Sequence, residues 1–321
     1  MTLSLHNRGL GTGKLTRLHR MLYQYGNRNG TLLLLPYDHG LEHGPRDFAA
    51  NPESADPHYV LDLAIRARFN GVALQIGQAR KCYASFAGRI PLVVKLNGKT
   101  EIPSDDAPLS PLNATVEEAV SLGADAVGYT LYVGSSRQAD DFTAFRSVRQ
   151  ECERYGIPLI VWAYPRGADI ARKGGRDSFY AVDYAARVAA ELGADVVKVN
   201  WPSPVTSPQV PEEYRVHLSD ADRISAIVRS AGSALVLLSG GDLADTAVLL
   251  ERAGIALRAG AVGLIFGRNV LKRTSGEALE FAEQLRGVLR RSPEGQAGGG
   301  VDGQEWSVVG RPDASGVAGD R

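Results

Sequence analysis

The sequence predicts a (β/α)8 TIM barrel, a closed parallel sheet wrapped in helices, on three observations. Eight short runs of aliphatic and β-branched residues alternate with longer stretches of helical periodicity. Three of the runs follow a helix through a Gly-Ala step, at Gly123-Ala124, Gly193-Ala194 and Gly260-Ala261. The eight units occupy about 260 residues, the size of such a barrel, whereas a doubly wound open sheet usually has fewer strands. Alternation itself implies parallel pairing, because parallel neighbours need a crossover connection and the helices supply it.

The runs in order are Thr31 to Leu35, Val72 to Ile76, Pro91 to Leu96, Asp125 to Leu131, Pro158 to Ala163, Asp195 to Asn200, Ala234 to Ser239 and Ala261 to Phe266. Helical patterns cover Asp140 to Tyr155, Ser178 to Leu192, Ser219 to Ala231 and Asn269 to Arg290, with apolar residues three and four apart as in Tyr184, Val188 and Leu192. Glycine in the Gly-Ala steps suits a helix C-cap, where a left-handed residue turns the chain into the next strand. No linker interrupts the pattern, so residues 1–291 read as one domain. Residues 292–321 hold eight glycines and no apolar period, and read as a flexible tail in which Trp306 is the one apolar knot.

The 321 residues carry 36 basic and 36 acidic side chains, which argues against a nucleic-acid binder. The tail has five acids and two arginines, so the neutral total hides a body of net charge +3. Cys82 and Cys152 form no framework and no CxxC pair, so a reducing cytoplasm is the simplest setting. Residues 1–25 show no signal-peptide pattern, and no segment approaches the roughly 20 apolar residues that cross a bilayer. No membrane partner is expected.

In a parallel barrel, chemistry collects where the strands end and the βα loops open. Asp38-His39-Gly40-Leu41-Glu42-His43-Gly44-Pro45 follows the first run, Asn97-Gly98-Lys99 the third, and Trp162-Ala163-Tyr164-Pro165-Arg166-Gly167 ends the fifth. Lys198 lies inside the sixth, where two-residue alternation puts Val196, Lys198 and Asn200 on one face. If that face is the interior, desolvation lowers the amine's pKa and frees it to attack a carbonyl. The alternative is a lysine that snorkels or pairs with a carboxylate. Lys95, in Val93-Val94-Lys95-Leu96, is a rival for the same role.

Ser239-Gly240-Gly241 and Gly267-Arg268 follow the seventh and eighth runs, where barrels commonly bind a phosphate, although such glycines can simply make tight turns. Tyr164 shares the orientation of Trp162 two residues earlier and offers a phenol as acid or base beside Lys198. His39 and His43 are four apart, but Gly40, Gly44 and Pro45 oppose a regular helix and no second cluster completes a metal site, so no metal is expected. Gly9-Leu10-Gly11-Thr12-Gly13-Lys14 lacks the spacing of a phosphate loop and has Leu15 where a metal-holding hydroxyl belongs.

Asp38 to Pro45, Trp162 to Gly167 and Lys198, with Lys95 to Thr100, Ala126 to Thr130 and Val262 to Asn269, resemble the archaeal-type class I fructose-bisphosphate aldolases over about residues 30–290. The resemblance implies that Lys198 rather than Lys95 forms the Schiff base, that Tyr164 is the acid/base and that Asp38 is the active-site aspartate. It places Trp162 and Arg166 beside the tyrosine, and the phosphate on Ser239, Gly240, Gly241, Gly267 and Arg268. His39 and His43 fall in a substrate-contacting loop. It further implies a sugar-phosphate substrate, no cofactor and a homo-oligomer, with decamers common in the family. Asn200 departs from the pattern, since some members carry a lysine there. The rival readings are a sibling lysine aldolase or transaldolase-like synthase acting on another sugar phosphate, and a barrel that only binds sugar phosphates.

Overall fold

A computed structural model of the chain describes Leu5 and residues 8–290. The tail expected over 292–321, Trp306 included, lies outside the described residues. Eight parallel strands close into a barrel in sequence order: β1 (Leu32–Tyr37), β2 (Gly71–Gln75), β3 (Leu92–Lys95), β4 (Ala126–Val133), β5 (Leu159–Pro165), β6 (Val196–Val199), β7 (Leu235–Ser239) and β8 (Gly263–Ile265). Closure is made by β1 against β8, with Leu32 opposite Gly263. Eight strands thus stand where eight runs were expected. β4 and β5 run past their expected ends because their ladder continues through Tyr132 opposite Tyr164 and Val133 opposite Pro165.

The α-helices among the described residues are α1 (Thr12–Tyr23), α2 (His39–Glu42), α3 (Pro57–Arg66), α4 (Ile76–Cys82), α5 (Val116–Ser121), α6 (Gln138–Tyr155), α7 (Ala168–Arg172), α8 (Phe179–Glu191), α9 (Asp220–Ser230), α10 (Thr246–Arg258), α11 (Arg268–Leu271) and α12 (Ser275–Arg290). Ser178 and Ser219 cap α8 and α9 by accepting from the N–H groups of Ala181 and Asp222. The three Gly-Ala steps have φ of +74°, +103° and +99° at Gly123, Gly193 and Gly260, the left-handed turn that a Cβ would strain.

Two local expectations are corrected. The single helix expected from Asn269 to Arg290 is two, because Thr274 and Glu277 form a capping box that starts α12 afresh: the Thr274 N–H donates to Glu277 Oε2 at 3.0 Å. One helical turn does form at α2, where glycine and proline argued against it, and Gly44 at φ +76° ends it.

Pleating sends alternate residues inward and outward. Leu33, Leu35, Val197 and Val199 point out against the helices, while Leu32, Leu34, Ala73, Val93, Ala126, Ile160, Val196, Leu235 and Leu237 fill the barrel. Leu18, Met21 and Leu22 of α1 pack on that inner set and close the N-terminal end of the barrel. Lys14 of α1 is buried in ion pairs with Asp195, at 2.9 Å, and Glu153, so the glycine-rich stretch around it is a structural anchor. Trp162 and Tyr164 belong to the same inner cluster at the strands' C-terminal ends. That leaves the C-terminal mouth to polar residues.

Candidate active site

Register brings the polar residues together. Lys198 on β6 lies opposite Trp162 on β5, and Lys95 on β3 lies opposite Gly128 on β4. With no side chain, Gly128 leaves room between them: a Cβ there would sit 2.7 Å from the Trp162 ring and 3.1 Å from the Lys95 stem. The Lys95 ammonium rides over the Trp162 ring at 4.7 Å.

Two buried lysines therefore face one interior, and their partners separate them. Lys95 donates to Asp38 Oδ2 at 3.0 Å and to Glu42 Oε1 at 2.8 Å. Burial pulls its pKa down, but Glu42 and Asp38 outweigh burial and raise it. It stays a cation. Lys198 has no carboxylate in contact and donates to the Tyr164 hydroxyl, with its nitrogen 4.1 Å from the centre of that ring. Burial lowers its pKa to about 7; Asp38 and Glu42 oppose the shift, whereas the Lys95 and Arg166 charges assist it. At neutral pH a large fraction of Lys198 is free amine.

The carboxylate and phenol follow the same logic. Burial would raise the Asp38 carboxyl, but Lys95 and then His39 hold it below the usual range. Tyr164 is pushed well above the ordinary phenol value by burial and then by Glu42 and Asp38, so it rests as a protonated hydroxyl. Burial lowers His39 to about 4, leaving it neutral. Its ring lies on Gly267, where a Cβ would come 2.2 Å from the imidazole.

The loops after β7 and β8 form the opposite wall. Ser239 Oγ accepts from the Gly241 N–H at 3.3 Å and donates to Asn200 Oδ1 at 3.3 Å, while Asn200 donates to Asp177 at 2.8 Å. Buried Asn269 gathers the carbonyls of Gly240, Gly241 and Asp242 at 3.4, 3.4 and 3.1 Å. A trans peptide points N–H opposite to C=O, so the following N–H groups turn away from Asn269. Arg268 is paired with Asp242 across the rim.

An inner cleft lined by Asp38, His39, His43, Trp162, Tyr164 and Lys198 opens into a cavity of about 470 Å³ that reaches Arg166. Ser239, Gly240, Gly241, Gly267 and Arg268 line the same cleft, so all twelve residues that the resemblance implies for the site come together. Sequence reasoning missed Glu42 as the second partner of Lys95, although it stood in the quoted loop, and missed Asn269. Neither carries a local signal: each acts on a residue 53 or about 28 positions away. Among the described residues no group of three or more His, Cys, Asp or Glu is placed to hold a metal ion.

Fold and site together define a barrel enzyme of the lysine-centred aldolase class, with the Lys198 amine buried at the C-terminal mouth. The sequence profile of the DeoC/LacD family aldolases matches residues 32–273, and the chain belongs to that family. It is 42% identical over 259 residues to a class 1 fructose-bisphosphate aldolase of Thermoproteus tenax, covering 80% of this chain and 89% of that protein. A class 1 fructose-bisphosphate aldolase of Halobacterium salinarum is 38% identical over 263 residues, covering 82% and 92%. Among solved structures, an archaeal fructose-1,6-bisphosphate aldolase with its catalytic lysine bound to the carbinolamine intermediate of the substrate superposes with TM-score 0.72 at 39% identity, covering 85% of this chain and 99% of that one.

Proposed function

We propose that the protein is a class I fructose-bisphosphate aldolase, a lyase that reversibly cleaves fructose 1,6-bisphosphate to dihydroxyacetone phosphate and glyceraldehyde 3-phosphate, with the place in glycolysis and gluconeogenesis that this reaction holds. The observation that carries the reading is the pair of buried lysines, one held charged by two carboxylates and one left as a free amine against a tyrosine.

The neutral Lys198 amine attacks the C2 ketone, and the carbinolamine takes up a proton from water and loses its hydroxyl as water, leaving a protonated imine. The charge of that imine drives the Tyr164 proton out to water, and the resulting phenolate accepts the C4 hydroxyl proton as the C3–C4 bond breaks. Its electron pair flows into the imine to give an enamine, and the aldehyde leaves. Tyr164 returns the proton to C3, and water releases the ketone product and the amine. A resting phenol with a raised pKa is a poor base, but imine formation places a full positive charge beside its oxygen and lowers the cost of the phenolate. Asp38, fixed by Lys95, orients substrate hydroxyls, and His39, His43 and Trp162 line the inner cleft around them. Ser239 to Gly241 with Gly267 and Arg268 hold the C1 phosphate, the substrate displacing Asp242 from Arg268. Arg166, 5.0 Å from the Tyr164 ring, and Lys99 face the outer cavity for the distal phosphate, where Asn200 offers no charge.

Both cysteines are free thiols, which suits a cytoplasmic setting, and we expect copies of the chain to associate as in the resembling family. Borohydride with fructose 1,6-bisphosphate should trap an adduct on Lys198, read by peptide mass spectrometry, while triose phosphate release outpaces that from fructose 1-phosphate. Inactivation by EDTA with no trapped adduct overturns the scheme, and light scattering of the full chain reads the assembly.

A further inference from the structure

The opposite end of the barrel holds a second cavity, of about 530 Å³, far from Lys198. It forms where the chain turns into the first three strands: the α1–β1 turn supplies Arg28, the α3–β2 turn supplies Arg68 and Phe69, and the segment before β3 supplies Arg89. The last turns of α12 add Arg286 and Arg290, and none of the lining residues is acidic. Glu283 pairs with Arg286 and, at 3.1 Å, with Arg290, while Arg28, Arg68 and Arg89 have no carboxylate partner among the described residues. Five guanidinium groups thus share one carboxylate, and Arg286, itself buried, feels the repulsion of Arg290 and Arg68.

A second observation points to the same place. Among the described residues, the only positive-φ residues other than glycine are Arg28, at +58°, and Arg68, at +54°. Glycine would sit there without the Cβ strain that arginine bears. Two turns thus each hold a left-handed arginine over one cavity.

We propose that this cavity binds a small polyanion carrying two or more phosphoryl groups. Its size fits such a molecule. Arginine's planar fork matches phosphate oxygens with paired hydrogen bonds, and a multiply charged ligand relieves the repulsion among the five cations. The site is separate from the phosphate-facing loops after β7 and β8, which lie at the other end of the strands.

Titration calorimetry with inorganic pyrophosphate tests the site on the full chain. Arg268→Ala serves as background, so that the loops at the other end contribute little. Pyrophosphate should bind this background, and adding Arg28→Gly and Arg68→Gly should weaken binding at least tenfold. Glycine accepts the left-handed backbone, so these changes relieve strain rather than disturb the fold. Arg89→Ala, an exposed change on the same wall, should independently weaken binding severalfold. Absence of binding to the Arg268→Ala protein, or affinity unchanged by the glycine pair, overturns the proposal.

Discussion

Replacing Lys198 by methionine should make the protein more stable and inactive, and the gain should fade as pH rises. The amine titrates near 7 in the folded chain against 10.5 for a free lysine. Below both values each state carries the proton, and the folded state bears the full penalty of a buried cation. Between them the unfolded chain binds a proton that the folded chain does not, so wild-type stability climbs with pH. The difference amounts to about 4 kcal/mol at pH 7, about 2 at pH 9 and about 1 at pH 10. Methionine fills a similar volume without the charge, but the Tyr164 hydroxyl loses its partner, which costs on the order of 1 kcal/mol. The net expectation is a gain of about 3 kcal/mol at pH 7 that vanishes near pH 10. Urea unfolding of wild type and Lys198→Met at pH 6, 7, 9 and 10 measures it. A variant no more stable than wild type at pH 7, or a gain that does not shrink with pH, refutes the claim that burial holds this amine neutral.

Three further perturbations separate the roles at the mouth. Tyr164→Phe should lower kcat by about 10²–10⁴ while borohydride still traps the substrate on Lys198, because proton transfer fails and imine formation does not; untrapped enzyme contradicts the division of labour. Gly128→Ala should destabilise by roughly 1–3 kcal/mol and cut activity, since its methyl group meets Trp162 at 2.7 Å; thermal melts and steady-state assays check both. Lys95→Met leaves Asp38 and Glu42 buried without their cation and should destabilise by about 3–5 kcal/mol at pH 7. Asp38 titrates below its unfolded value, so its stabilising share is present above that unfolded value and lost as pH falls through the folded one. The Lys95→Met deficit should therefore narrow in acid, which denaturation at pH 3 and pH 7 reads directly.

Much of the site was legible because a parallel barrel converts one-dimensional order into place. Once the eight runs are found, the residues at the end of each run must meet at one mouth, which is why order along the chain alone already groups Asp38, Tyr164, Lys198, Ser239 and Arg268. Alternation within a strand likewise put Lys198 on one face with Val196 and Asn200, and left open whether that face turns inward. The break between α11 and α12 was equally readable in Thr274 and Glu277, and was passed over because the apolar period runs through it. What local pattern could not separate was Lys95 from Lys198, since each sits in a run of valines.

The order of strands and helices and the loops that bear chemistry were determined by the sequence alone, because hydrophobic periodicity and turn residues act over a few neighbours, whereas the face of each strand that turns inward was set by closure of the barrel. Which lysine keeps its charge was decided by tertiary structure. Asp38 and Glu42 reach Lys95 across 57 and 53 residues and hold its proton, while Lys198 meets only a phenol and loses much of its charge to burial. A pKa is set by the charges and dielectric within a few ångströms, and those neighbours exist only once the barrel has closed.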